Sequence, residues 1–278
     1  SGKIIAKKTL DYNRSAAPKK IAEDFALAVL AFLKEENIPL ERCTGLGVGV
    51  PGTIDTQGGV VLYSNNIRWE NVPLAALLGE TIPCPVRVAN NADCAALGEA
   101  LVGAGAGESG CVVMLTLGGG VGSGVLLDKK LLGAAQGGIE VGHQVIRMGG
   151  RRCTCGRRGC LEAYASVPAL LRAARVTARR DVALAEFFRL VDGGDADMCA
   201  VFADYTSNLA QGVVNIVNIF RPRLLILGGR LAPYAERLVE PLSEAIKGES
   251  FGGKSLPLPK IAIAALGNDA SLIGAANL

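Results

Sequence analysis

Glu140-Val141-Gly142-His143 and, after nine intervening residues, Cys153-Thr154-Cys155-Gly156-Arg157-Arg158-Gly159-Cys160-Leu161-Glu162 hold the only histidine of the chain and three of its eight cysteines. One imidazole and three thiolates fill the four tetrahedral positions of a structural zinc site, with glycines easing the tight loop that a Cys-x-Cys spacing demands. His143, Cys153, Cys155 and Cys160 are therefore the expected ligands. No position is left open for a metal-bound water, so the metal reads as a staple. The flanking Glu140 and Glu162 are then left to meet a ligand beside it, or to pair with nearby arginines.

Around this stretch the chain has 278 residues, half of them hydrophobic and 20% charged, enough for two lobes with a core each. A net charge of +3 is too small to imply nucleic acid or a membrane surface as a partner. The local cluster Arg147, Arg151, Arg152, Arg157 and Arg158 reads first as a solvated face, with anion binding as the alternative. Cys43, Cys84, Cys94, Cys111 and Cys199 are odd in number and sit in apolar surroundings. They read as reduced thiols, which places the protein in the cytoplasm. No apolar stretch approaches the roughly 20 residues needed to span a bilayer.

The pattern predicts a short strand over 3–10 and a helix from Pro18 to Asn37, with Ile21, Phe25, Ala28, Val29, Phe32 and Leu33 on one face. Strands follow at 44–50 and 85–89, then a helix over 92–102. Gly103 to Gly110 is the linker candidate, dividing an N-terminal lobe, 1–107, from a C-terminal lobe, 108–278. The second lobe opens with Val112–Thr116, apolar on both faces and so central in a sheet. A second strand over 124–127, helices over 167–179, 183–191 and 198–220, and a strand over 224–227 follow. A last helix over 270–277 is expected to pack back on the first lobe. Alternating strands and helices make the fold class α/β.

Glu-x-Gly-His followed by Cys-x-Cys-Gly-x-x-Gly-Cys-x-Glu resembles the signature of the ROK family, which groups bacterial sugar kinases with sugar-responsive repressors. Gly47-Val48-Gly49-Val50-Pro51-Gly52, Asn90-Asn91-Ala92-Asp93, Leu117-Gly118-Gly119-Gly120-Val121-Gly122, Ile226-Leu227-Gly228-Gly229 and Leu266-Gly267-Asn268-Asp269-Ala270 agree with it in order. The resemblance implies a two-lobed actin-like (ribonuclease-H-like) ATPase fold with the ligand cleft between lobes. It also implies transfer of phosphate from ATP, with Mg²⁺, to the 6-hydroxyl of a hexose, by a homo-oligomer, dimer or tetramer. The alternative within the family is a sugar-binding regulator or a noncatalytic sugar-binding protein.

Thr116, Gly118 and Gly119 follow a buried strand, where glycine lets backbone N–H groups approach an anion, although a hairpin turn alone would also want glycine. With Gly228 and Gly229 they are similar to the nucleotide-contacting turns of the family. By the same resemblance Asn90, Glu140, His143 and Glu162 bind hexose, with Gly52 and Asn66 contacting it from the first lobe. His143 would offer one ring nitrogen to zinc and the other to a sugar hydroxyl.

Two departures stand out. Kinases of the family carry Asn-Asp where this chain has Asn90-Asn91, and an amide cannot accept the proton of the attacking hydroxyl. Asp93 is the nearest carboxylate, either a replacement base or a helix-start residue favoured by the macrodipole. Phosphoryl transfer is therefore expected to be weak while hexose binding survives. In addition, no Asp-x-Gly-Gly-Thr turn precedes Lys3. A first strand and phosphate loop are expected upstream of Ser1, and a helix-turn-helix domain there would make nucleic acid a partner.

Overall fold

The computed structural model describes residues 2–13 and 15–278, with the side chain of Gln136 left aside. The first helix, α1 (Pro18–Glu35), starts at a proline whose fixed φ suits the first turn, and it ends before Asn37, which turns to φ 54°. It is followed by β1 (Leu46–Val50), β2 (Thr53–Asp55), β3 (Val60–Ser64), β4 (Trp69–Val72), α2 (Leu74–Gly79), against which it packs, and β5 (Val86–Asn90). Ala22 and Ala26 pack into a core with Val50, Ile54, Val61, Trp69, Leu78 and Val88. β1 and β5 pair in parallel, Leu46 opposite Val86 through Val50 opposite Asn90, so Pro51-Gly52 leaves the sheet beside Asn90. β2, β3 and β4 form a separate antiparallel meander.

The strand expected over 3–10 does not form. Among the described residues this stretch has no partner strand, and without ladder hydrogen bonds it stays irregular. Lys7 instead reaches Asp269 at 2.6 Å.

After β5 come α3 (Asn91–Val102), β6 (Cys111–Leu117), β7 (Val121–Leu127), β8 (Lys130–Leu131), α4 (Glu162–Ala165), α5 (Val167–Ala178), α6 (Leu184–Asp192), α7 (Ala196–Phe220), β9 (Leu224–Gly228), α8 (Glu236–Glu249), β10 (Lys260–Ile263) and α9 (Asp269–Ala275). The larger sheet runs in the order β10-β9-β6-β7-β8, with β6 at its centre. Period-two alternation sends β6 to two cores. Val113, Leu115 and Leu117 join Phe187, Phe188, Leu209 and Leu227 on the side of α5 to α8, while Val112 and Met114 meet Ala96, Ala100 and Ala270 of α3 and α9 on the other. Each fully buried Leu or Phe contributes about 1.5–3 kcal/mol.

The last helix lies on α3 and on the end of β1 at backbone contact distance. A Cβ at Gly274 would overlap the carbonyl of Cys94, one at Gly98 the carbonyl of Ala270, and one at Gly47 the carbonyl of Ala275. Glycine at these three points is what lets the helices touch. The far end of α3 is pinned by Glu99, whose fully buried carboxylate accepts from Ala104 N (2.8 Å), Ala265 N (3.1 Å) and Leu266 N (2.7 Å). Three N–H donors satisfy a charge that burial would otherwise make costly.

Candidate functional site in the cleft

The zinc-binding candidates converge. One ligand atom each from His143, Cys153, Cys155 and Cys160 lies within 4.8 Å of the others. Cys153 Sγ stands 3.6 Å from His143 Nδ1, and Cys155 Sγ 3.7 Å from Cys160 Sγ. A tetrahedral zinc with ordinary Zn–S and Zn–N bond lengths requires edges of roughly 3.5–3.8 Å, so the donor set and its spacing are compatible with zinc. The loop is braced by Cys153 N to Arg157 O (2.8 Å), Gly159 N to Arg151 O (2.8 Å) and Leu161 N to Gln144 O (2.9 Å). The arginines brace it too. Arg147 and Arg151 stack over Tyr164, whose hydroxyl accepts from Arg151 N, and Arg158 donates to Gly150 O. Nδ1 of His143 faces the sulfurs, leaving Nε2 for another partner.

Parallel pairing of β6 with β9 sets Thr116 opposite Gly228, and antiparallel pairing with β7 sets it opposite Gly122. The two glycine turns, 118–120 and 228–229, therefore leave the sheet side by side, bringing Thr116, Gly118, Gly119, Gly228 and Gly229 together. Glu162, the first residue of α4, closes on the same turn. Its Oε2 accepts from Val121 N (3.1 Å), and a Cβ at Gly120 would collide with that oxygen. Its Oε1 accepts from Thr154 Oγ1 (2.8 Å). Among the described residues neither Glu140 nor Glu162 forms an ion pair with an arginine, so the salt-bridge reading of these carboxylates finds no support.

The first turn of α3 closes the other side. Asn90 is its cap: Oδ1 accepts from Ala92 N (2.7 Å) and Asp93 N (3.4 Å), while Nδ2 donates to Gly52 O (2.7 Å). Most of its hydrogen-bonding capacity is thus spent on the fold, with one N–H left. Asn91 is exposed above Gly49. Asp93 behaves differently. It is 2% exposed, its Oδ1 is buried without a partner, and Oδ2 faces Gly138. Desolvation first, and the charge of Glu140 second, push its carboxyl up to about 7. Glu140 is held by Ser123, whose Oγ donates to Ile139 O and accepts from Val141 N (3.2 Å). Surrounding protein also raises the Glu140 carboxyl, although its tip reaches solvent. Asn66 is exposed in the turn between β3 and β4, next to Asn65, whose Nδ2 reaches Thr154 O at 3.4 Å.

The sequence profile of the ROK family matches residues 2–278. The chain belongs to the ROK family. Among its relatives, the glucokinase of Halalkalibacterium halodurans is 31% identical over 99% of this chain and 87% of its own length. The xylose repressor of Caldicellulosiruptor bescii is 32% identical over 83% of this chain, which spans 61% of the repressor. A ROK family glucokinase from Streptomyces griseus, solved with glucose and AMPPNP, superposes with a TM-score of 0.78 at 29% identity, over 92% of this chain and 87% of that one. The ROK architecture, α/β with two actin-like lobes, is thus this chain's own. No helix among the described residues is long and apolar enough to cross a membrane.

Two residues of this ROK cleft escape the sequence reading, Thr154 and Ser123, and so does Glu99 at the far end of α3. Only Glu99 carried a signal, a lone carboxylate late in a helix of Ala, Leu and Gly.

Proposed function

We propose that the chain is an ATP-dependent sugar kinase that phosphorylates the 6-hydroxyl of a hexose in the cleft. The likeness to glucokinases, one of them solved with glucose and an ATP analogue, supports sugar phosphorylation in general; the hexose specificity and the roles below are our reading. The observation that carries catalysis, rather than binding alone, is the buried, unpartnered Asp93 carboxylate, poised near neutral pH.

In this reading Glu140, Glu162 and Nε2 of His143 orient the sugar, with the free N–H of Asn90 and the turns of Gly52 and Asn66 closing over it. Thr116, Gly118, Gly119, Gly228 and Gly229 cradle the phosphates of ATP, which arrives as its Mg²⁺ complex. The proton of the attacking hydroxyl passes through one intervening water to Asp93, a reach open to a general base, because residue 91 is an amide. Zinc, held by His143, Cys153, Cys155 and Cys160, fixes the imidazole plane and the start of α4, and takes no part in transfer. We place the lobe boundary at 107, and the protein in the cytoplasm as a homo-oligomer.

The test is ATP consumption with glucose, fructose, mannose, N-acetylglucosamine and N-acetylmannosamine in turn, with product mass read directly. The reading expects one hexose to be converted to its 6-phosphate. Hexose binding without turnover by any of the five would favour the second reading, a sugar-responsive regulator. Asn91 and the similarity to a xylose repressor point to that reading.

A further inference from the structure

Thr154 lies between two zinc-ligand candidates, and its side chain is exposed. Metal binding asks nothing of it. Yet its hydroxyl donates to Glu162 Oε1 at 2.8 Å, its carbonyl accepts from Asn65 Nδ2 at 3.4 Å, and the other oxygen of Glu162 accepts from Val121 N at 3.1 Å. A continuous chain of contacts therefore runs from the β3–β4 turn through the zinc loop to the glycine turn between β6 and β7.

An ionised carboxylate offers about four acceptor positions. Val121 N takes one position on Oε2, and on Oε1 the Thr154 hydroxyl (2.8 Å) is joined by the Cys153 thiol at 3.6 Å; a Cys153 thiolate on zinc would no longer donate, which leaves one position on each oxygen. The terminal torsion of a glutamate is broad and soft, so without a donor on Oε1 the carboxylate plane would turn about its bond to Val121. We propose that Thr154 is a positioning residue. It fixes the Glu162 carboxylate so that its two remaining acceptor positions meet a pair of neighbouring sugar hydroxyls, and so that sugar binding is transmitted through Val121 N–H to the phosphate turn. This rests on the cleft being a hexose and ATP site.

The test is isothermal titration of the full chain with the converted or bound hexose from the panel, and with AMPPNP in its absence and presence. In the parent, the hexose tightens AMPPNP binding by about fivefold or more. Thr154→Val removes the donor at nearly constant shape. It should weaken hexose binding roughly tenfold and bring the coupling to AMPPNP close to one, with zinc content and melting temperature held. Thr154→Ser should restore both quantities, which a merely structural role in the loop would not predict. Thr154→Ala is the second variant should the valine methyl crowd the Cys153 sulfur and cost zinc. Equal affinity and equal coupling in Thr154→Val and the parent would overturn the positioning role while leaving the cleft a hexose site. A parent that binds none of the five hexoses would remove the cleft reading and this proposal with it.

Discussion

Asp93 shows how one residue's surroundings decide its chemistry. An aspartate in the first turn of a helix is ordinarily a solvated carboxylate serving the macrodipole, and nothing in Asn90-Asn91-Ala92-Asp93 tells it apart from that. Its burial comes from Gly124 of β7 and the turn at Gly138, more than 30 residues away in sequence, which is why base and helix-start carboxylate stood as alternative readings of the sequence. Stability should record the strain. Unfolded, the carboxyl titrates near 3.8; folded, near 7. The folded state therefore holds the proton more tightly, and this contribution to stability is complete below pH about 4 and lost as pH rises to about 7. The difference corresponds to on the order of 4 kcal/mol, some of which a buried amide would also incur. Asp93→Asn should accordingly stabilise the protein by about 1–3 kcal/mol at pH 8 and by much less at pH 4.5, measured by urea unfolding at both. Equal effects at the two pH values would show that Asp93 is not the desolvated group described.

Among the elements, the Cys/His loop was the most legible: the structure gathers His143, Cys153, Cys155 and Cys160 within 4.8 Å of one another, a cluster compatible with zinc. The helices α5 and α7 were legible too, since their periodicity extends over several turns, and so was the central strand β6, as a run apolar on both faces. What was not legible is short or locally contradictory. β2, β3 and β4 have three to five residues each and mixed burial, and α8 carries Pro241 inside it, a residue that reads as a break. The glycine turns were equally at home in a plain hairpin, and only the parallel register of β6 with β9 brings the two together. Two measurements belong at this scale. Purified protein should contain one zinc per chain, and its removal by chelation should lower the melting temperature by on the order of 5–10 °C, because metal binding is linked to the folding of the loop. Unchanged melting after complete removal would make the cysteines a coincidence. Glu99→Gln leaves three buried N–H donors facing an amide with one oxygen, and should cost about 2–3 kcal/mol; an unfolding midpoint equal to the parent's would show that the staple between α3 and the 265–266 turn carries no stability.

At the scale of the whole molecule, α9 follows the last strand of the second sheet and lies on α3. The closeness of that contact was not readable, because it depends on Gly98 and Gly274 meeting each other's backbones across 176 residues of sequence. Gly274→Ala puts a methyl against the Cys94 carbonyl, where neither side can yield without moving a helix, and should cost about 2–3 kcal/mol. Because α3 carries Asn90, Asn91 and Asp93 at its other end, the same variant should also lower turnover, and thermal unfolding alongside initial rates reads both. The cleft is thus assembled from distant parts: a Cys/His loop at one wall, a helix whose first turn holds a buried, unpartnered carboxylate, and two glycine turns at adjoining strand ends. The central claim is that this cleft transfers phosphate with Asp93 as the proton acceptor. Turnover of the parent, Asp93→Asn and Asn91→Asp with ATP and the converted hexose tests it most directly. The account predicts that Asp93→Asn loses on the order of 10² to 10⁴ in kcat with hexose affinity retained, and that Asn91→Asp gains little; an Asp93→Asn enzyme as fast as the parent, beside a strong gain from Asn91→Asp, would contradict it.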